Sequence, residues 1–200
     1  DEGITVVHVP DYCVEEVSNH VITFLLAWAK QLRGLDQSVR SGEWAERSRT
    51  PMALVQSVHQ QTLSLIGAGR IGLATARKAK ALSMKVLVYD PYVDTESLQA
   101  EGLEVVGFNR AIAEGDYVSV HTPLTDETHH LISHETLASM KQTAFLINVS
   151  RGPIVDEAAL IEALESKRIA GAALDVFETE PMVADNPLCK MPNTILTPHA

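Results

Sequence analysis

The chain has 200 residues, 46% of them hydrophobic, with 16 Lys and Arg set against 26 Asp and Glu for a formal charge of −10. That size and apolar content support the buried core of one large domain, or one domain with a piece of another. An acidic chain lacks the basic patches that direct nucleic-acid or anionic-membrane binding demands, and two cysteines give no disulfide framework.

The opening Asp1-Glu2-Gly3 has no Met and no basic-then-apolar leader pattern, so the natural start is expected upstream. Residues 4–9 read as a short strand, closed by Pro10-Asp11. A long helical pattern follows. Val14, Val17, Val21, Leu25, Trp28, Leu32, Leu35 and Val39 recur at spacings of three and four, which predicts one helix over 14–39. Ile22, Leu26 and Ala29 add a second apolar stripe, so this helix is either packed on two sides or turns one face to a second subunit. From Gly42 to Thr50-Pro51 the chain reads as a loop. No apolar run reaches the roughly 18 residues of a membrane span. Cys13 and Cys189 stand far apart without metal-ligand spacing or an activating neighbour, so a reducing cytoplasm is the expected compartment.

From residue 61 onward, short apolar runs alternate with helical stretches. Strands are predicted at Leu63–Ile66, Lys85–Tyr89, Glu104–Val106, Tyr117–Val120, Ala144–Ile147, Ala170–Leu174 and Thr194–Leu196. Helices are predicted at Ile71–Leu82, near Thr95–Ala100 and Arg110–Glu114, and at Glu135–Met140 and Glu157–Ser166, with Ser133 and Asp156 as N-caps. The strands are apolar throughout, as expected where helices cover both faces of a sheet. Repeated βα units of this kind mean an α/β fold with a doubly wound parallel sheet.

The first of these strands runs into Gly67-Ala68-Gly69-Arg70-Ile71-Gly72, which opens a helix. In such a turn Gly67 permits the sharp bend, Gly69 lets a pyrophosphate approach the backbone, and Gly72 lets helix and strand pack closely. The helix N-terminus then offers N–H groups and the positive end of its dipole to the phosphates. The next strand ends at Asp90, where a dinucleotide site needs an acid for the ribose hydroxyls. No Arg or Lys follows in Asp90-Pro91-Tyr92-Val93-Asp94, which favours NAD over NADP.

Three further segments follow predicted strands, at the rim where open α/β sheets bind ligands: Asn148–Pro153, Asp175–Pro181 and Thr197–Ala200. With Tyr89-Asp90, His121-Thr122-Pro123-Leu124, Ser150-Arg151-Gly152, Val155-Asp156-Glu157, Leu174-Asp175-Val176-Phe177, Glu180-Pro181 and Thr197-Pro198-His199 in this order, nearly the whole chain resembles the D-isomer-specific 2-hydroxyacid dehydrogenases. The stretch Val9–Glu16 with Tyr89–Tyr92 looks most like members related to phosphoglycerate dehydrogenases and to C-terminal-binding corepressors.

The resemblance implies roles for particular residues. Arg151 becomes the substrate arginine, Glu180 the carboxylate partner and His199 the acid/base, while Arg70, Ile71, Thr122, Val149 and Asp175 lie along the cofactor, Asp175 near its nicotinamide. The chemistry agrees: a guanidinium fork can grip a substrate carboxylate, and a histidine can exchange a proton with the oxygen on carbon 2 as hydride moves at that carbon. Glu180 argues against the formate dehydrogenase branch, which carries an amide there. By the same resemblance residues 1–12 end a substrate domain and linker, 13–196 form the NAD-binding domain, and 197–200 begin a return to the substrate domain, which supplies the remaining substrate donors. The expected assembly is a homodimer, the expected substrate a small 2-hydroxy or 2-oxo acid. The corepressor-related branch offers a rival reading, an NAD(H)-sensing protein with little turnover. No metal is expected: His129, His130 and His134 match no ligand spacing and read as surface residues, and His121 as a structural or cofactor-pocket residue.

Overall fold

In a computed structural model that describes residues 12–44 and 54–200 together with Gly3, Thr5, Val7 and Val9, the alternating runs resolve into one parallel sheet. Its strands are β1 (Thr62–Ile66), β2 (Lys85–Tyr89), β3 (Glu104–Val105), β4 (Tyr117–Val120), β5 (Phe145–Asn148), β6 (Gly171–Leu174) and β7 (Thr194–Leu196). The spatial order is β3-β2-β1-β4-β5-β6-β7, so the chain reverses its direction of winding between β1 and β4. A crevice opens at the carboxyl ends of strands on either side of such a switch point. Register brings Tyr89, Ile66 and Val120 side by side at that rim.

Helices cover both faces. Helices α1 (Val14–Ala29), α3 (Arg70–Ala81) and α4 (Thr95–Ala100) pack over one; α5 (Phe108–Glu114), α6 (His134–Ser139) and α7 (Glu157–Glu165) pack over the other. The pleat sends alternate residues to the two layers: on β5, Phe145 and Ile147 join the first and Leu146 the second. All three are fully buried, which is why the strand carries no polar alternation. Ser133 and Asp156 cap α6 and α7, accepting from the N–H groups of Thr136 and Ala159. Predicted boundaries for the strands and for α3 to α7 agree with the observed ones to within two residues.

The single helix expected over 14–39 is corrected to two, α1 and α2 (Leu32–Arg40). The chain breaks at Gln31, which adopts a left-handed φ of 50°. The Ala29 carbonyl accepts from the Gln56 N–H at 2.7 Å, a partner from a separate segment that replaces helix continuation. Beyond the break the apolar stripe no longer faces the core, for Leu32 is 60% and Val39 54% exposed. Trp28, just before it, stacks on Phe145 with ring centroids 4.4 Å apart. Of the strand expected over 4–9 only Thr5, Val7 and Val9 are described, and much of the loop from 42 to 51 falls outside the described residues. Among the described residues no helix is long and apolar enough to cross a membrane.

The rim beyond β5 and β6 depends on one glycine. A Cβ on Gly152 would lie 1.8 Å from the Phe177 carbonyl oxygen and 1.9 Å from its carbon. Backbone cannot yield there without moving both loops. Gly152→Ala is therefore expected to lower unfolding free energy by about 3 kcal/mol, the upper end for an overpacked site. Urea denaturation measures it, and an unchanged midpoint would contradict this account.

Candidate active site

The glycine turn after β1 is built by close backbone approach. Gly67 has φ 108°, and a Cβ there would sit 2.8 Å from both the carbonyl carbon and oxygen of His121. A Cβ on Gly72 would sit 2.5 Å from the Gly67 carbonyl oxygen, so strand and helix could not pack as closely with alanine. Gly69 differs from both: nothing lies within 4 Å of its Cβ position. It is the N-cap of α3 and has no side chain to cap the first-turn N–H groups, so the helix end is open to an anionic ligand.

Asp90 follows β2 and braces this turn. Its two oxygens accept from the backbone N–H groups of Ala68 at 2.8 Å and Tyr92 at 2.9 Å. Bracing the turn does not preclude binding ribose hydroxyls, since a carboxylate has further lone pairs for a ligand. Tyr92 hydroxyl meets Glu127 at 2.7 Å, adding a second carboxylate on this side of the rim.

Across the switch point, Val17, Ile71, His121, Thr122, Pro123, Leu124, Val149, Ser150 and Arg151 line a cleft of about 380 Å³. Ile71, Thr122 and Val149 thus come together in one cleft. The Thr122 Oγ1 atom is buried and has no hydrogen-bond partner within the protein. A buried hydroxyl of this kind, an open glycine cradle and an uncapped helix end fit a dinucleotide. Asn148, fully buried, shapes the neighbouring loop: its amide donates to the Arg151 carbonyl at 3.0 Å and accepts from the Ser150 N–H at 3.1 Å. Ser150 hydroxyl donates to the Val120 carbonyl at 2.9 Å, tying the loop to β4.

Glu180 and His199 meet on the loops after β6 and β7. Glu180 uses one oxygen to accept the Phe177 N–H at 2.9 Å and the other to meet His199 Nδ1 at 2.9 Å. The contact with His199, the Phe177 N–H and the nearby charge of Arg151 hold the Glu180 carboxyl below its ordinary range. Glu180, Phe177, Met182, Leu196 and His199 border a mostly apolar cavity of about 540 Å³. The Arg151 side chain is exposed and donates to the Ser150 carbonyl at 2.6 Å. Asp175 is 5% exposed and accepts from Thr197 Oγ1 and from the Ala200 N–H.

His20 on α1 escaped the sequence reading, although its Nε2 lies 3.0 Å from Thr197 Oγ1. Its helical spacing from Val17 and Phe24, on the apolar stripe, is the signal that could have marked it. His130 is engaged more fully than a surface residue: Nε2 meets Glu178 at 2.7 Å, and Nδ1 lies 3.9 Å from Asp156. Its two nitrogens face different carboxylates, and one ligand atom each from His130, Asp156 and Glu178 lies within 4.8 Å of the others. His129 stacks on the His130 ring, with centroids 4.1 Å apart.

Residues 22–200 match the family model described as D-isomer specific 2-hydroxyacid dehydrogenase, NAD binding domain. The chain is 43% identical over 199 residues to a glyoxylate reductase from Korarchaeum cryptofilum, covering 99% of this chain and 60% of that protein. It is 40% identical over 197 residues to a D-3-phosphoglycerate dehydrogenase from Archaeoglobus fulgidus, covering 98% of this chain and 37% of that one. Among solved structures, a D-lactate dehydrogenase from Aquifex aeolicus complexed with NAD and lactic acid superposes with a TM-score of 0.88 at 34% identity, covering 99% of this chain and 63% of the other. The chain thus spans less than two thirds of each.

His121 lies under the glycine turn with its Nε2 2.9 Å from Ser119 Oγ, and burial pushes its imidazole down to about 4. The unfolded ring takes a proton below its ordinary value of about 6.5, whereas the folded ring stays neutral until about pH 4. Stability held by the neutral ring is complete above the unfolded value and is lost as pH falls through this window, by up to about 3 kcal/mol. Unfolding free energies at pH 7 and 4.5 should show that loss, and His121→Gln should remove most of it. An identical slope in the variant would assign the loss to other groups.

Proposed function

We propose that this chain, which belongs to the D-isomer-specific 2-hydroxyacid dehydrogenase family, is the cofactor-carrying part of an enzyme that moves hydride between NAD(H) and carbon 2 of a small 2-hydroxy or 2-oxo acid. The observation that carries this reading is the pairing of Glu180 with His199 Nδ1 at 2.9 Å on the rim that also holds the glycine cradle and Arg151. Residues 13–196 form the cofactor domain, with 1–12 and 197–200 as its connections to a substrate domain. NAD, when bound, supplies or accepts the hydride.

The chain's own residues do the rest. The uncapped end of α3 and the turn at Gly67 and Gly69 hold the pyrophosphate, with Arg70 and Ile71 in the first helical turn. Asp90 takes the ribose hydroxyls, and Thr122, Val149 and Asp175 border the remainder of the cofactor. Arg151 pairs with the substrate carboxylate and polarises the adjacent carbonyl. Glu180 occupies Nδ1 of His199, which leaves Nε2 to give a proton to the substrate oxygen during reduction and to remove it during oxidation.

The relevant assembly is a homodimer in the cytoplasm. Exposed Leu32, Val39 and Trp44 supply its apolar surface, since Trp28 is already packed on Phe145. The two cysteines are free, which fits a reducing compartment.

Two measurements test the site. Asp90 and Glu127 should repel a 2′-phosphate, so NADH should bind much more tightly than NADPH, and Asp90→Ser should narrow that preference several-fold. Equal affinity of the parent protein for both cofactors would remove the basis for the Asp90 role.

The second uses the full-length protein with NADH and a panel of 2-oxo acids, of which at least one should be reduced at rates of about 10 per second. Reduction needs protonated His199, so it falls as pH rises; oxidation needs the neutral ring and rises over the same range. The His199 contact holds the Glu180 carboxyl below its ordinary range, so an ionised carboxylate stands 2.9 Å from the ring. Glu180→Gln removes that charge and should move both limbs. Unmoved limbs would mean that another carboxylate governs the proton, and cofactor binding with no turnover of any 2-oxo acid would support an NAD(H) sensor instead.

A further inference from the structure

Among the polar side chains of helix α1, which the proposed reaction does not use, His20 reaches the turn that presents His199. His20 Nε2 lies 3.0 Å from Thr197 Oγ1 and 3.7 Å from Asp175 Oδ1. Thr197 Oγ1 makes a short hydrogen bond to that same Asp175 oxygen, and the Ala200 N–H donates to it at 3.1 Å. The Thr197 N–H donates to the Leu174 carbonyl at 3.0 Å, fixing the start of the turn on β6. His199 thus sits between two residues tied to one buried carboxylate, and its own backbone takes a left-handed φ of 58°. A non-glycine residue stays in that region only where its surroundings hold it.

Counting hydrogens orients the network. A carboxylate only accepts, so the single hydroxyl hydrogen of Thr197 goes to Asp175. Thr197 Oγ1 then has only lone pairs to offer His20, and His20 Nε2 must carry the hydrogen between them. The ring cannot easily turn away, because it meets the buried Phe24 ring edge-on at a centroid distance of 4.3 Å.

We propose that His20 is a positioning residue for proton transfer at His199: its Nε2–H holds Thr197 and Asp175, and through them the Thr197–Ala200 turn. The inference rests on the acid/base role assigned to His199 above. It makes α1 part of the site, although no atom of His20 need touch substrate or cofactor. Glu180 fixes the His199 ring at Nδ1, and the His20 network fixes the backbone from which that ring projects. Both constraints are needed to aim Nε2.

The test uses the full-length protein and begins with the tautomer. Nitrogen NMR of labelled histidine at neutral pH should report a hydrogen on His20 Nε2; a neutral ring protonated only at Nδ1 would overturn the network. His20→Leu removes the donor, whereas His20→Gln places an amide N–H at similar reach. The Leu variant should lose roughly ten- to hundred-fold in kcat for 2-oxo acid reduction, the scale of a small misplacement of a reacting group. Its KM for NADH should stay at the parental value, and Gln should recover most of the lost kcat. If the Leu variant does not fold, Thr197→Val interrupts the same relay at nearly constant volume and should show the same loss confined to kcat. Equal loss in the Leu and Gln variants, or loss of NADH affinity with kcat intact, would overturn the positioning role. Should the parent protein reduce no 2-oxo acid, the dehydrogenase reading fails separately. The tautomer, and displacement of the His199 ring signals by His20→Leu, still decide whether the two histidines are coupled.

Discussion

A Cβ on Gly67 would have to sit 2.8 Å from the His121 carbonyl oxygen, and the contact that its absence permits brings the turn after β1 against the end of β4. The crevice follows from it. With the turn pressed down at this point, the N-terminus of α3 opens over the rim, and Thr122, the next residue along, leaves its hydroxyl buried without a protein partner. The same contact covers His121, whose imidazole is kept neutral by burial. A phosphate cradle made from backbone has few adjustable parts, so one methyl group in the wrong place moves strand, helix and the neighbouring rim together.

The parts of the fold set by period and punctuation were legible in the sequence. Both-sided burial gives β5 its unbroken Phe145–Asn148 run, and side-chain caps at Ser133 and Asp156 mark helix starts that the structure retains. Where periodicity alone was the guide, it overran: the stripe through Trp28 and Leu32 continues at helical spacing across a break made by Gln31 and by the bond from Gln56 to Ala29. A tertiary hydrogen bond between residues 27 positions apart leaves no local pattern, so no reading of residues 14–39 by themselves could have found it.

The site divides along the same line. Motifs that act through backbone, such as the glycine turn, announce themselves because only one residue type fits. Glu180 and His199 were legible only as members of an ordered set, since a glutamate before proline and a histidine near a strand end are common on surfaces. Their meeting at 2.9 Å depends on β6 and β7 being neighbours in the sheet, a fact of topology and not of spacing. His20 lies further still from local reach: 177 positions separate it from the threonine it contacts, and its spacing from Val17 and Phe24 is only a faint mark.

The two halves of the rim therefore differ in how they can vary. At the glycine turn the determinants are backbone positions, and substitution at Gly67 or Gly72 meets steric walls. On the proton side they are side-chain hydrogen bonds among Glu180, His199, Thr197 and Asp175, with His20 reaching in from α1. Hydrogen bonds of this kind tolerate replacement by groups of matching donor pattern, so the proton side can be adjusted without disturbing the cradle. Asp175 stands at the junction, because its own N–H donates to the Asn148 carbonyl at 3.0 Å while its carboxylate holds the turn around His199. Asn148 in turn shapes the Ser150–Arg151 loop through its side-chain amide. The segment carrying Arg151 and the segment carrying His199 are thus joined through two buried residues at the ends of adjacent strands, which keeps their spacing independent of how the exposed side chains move.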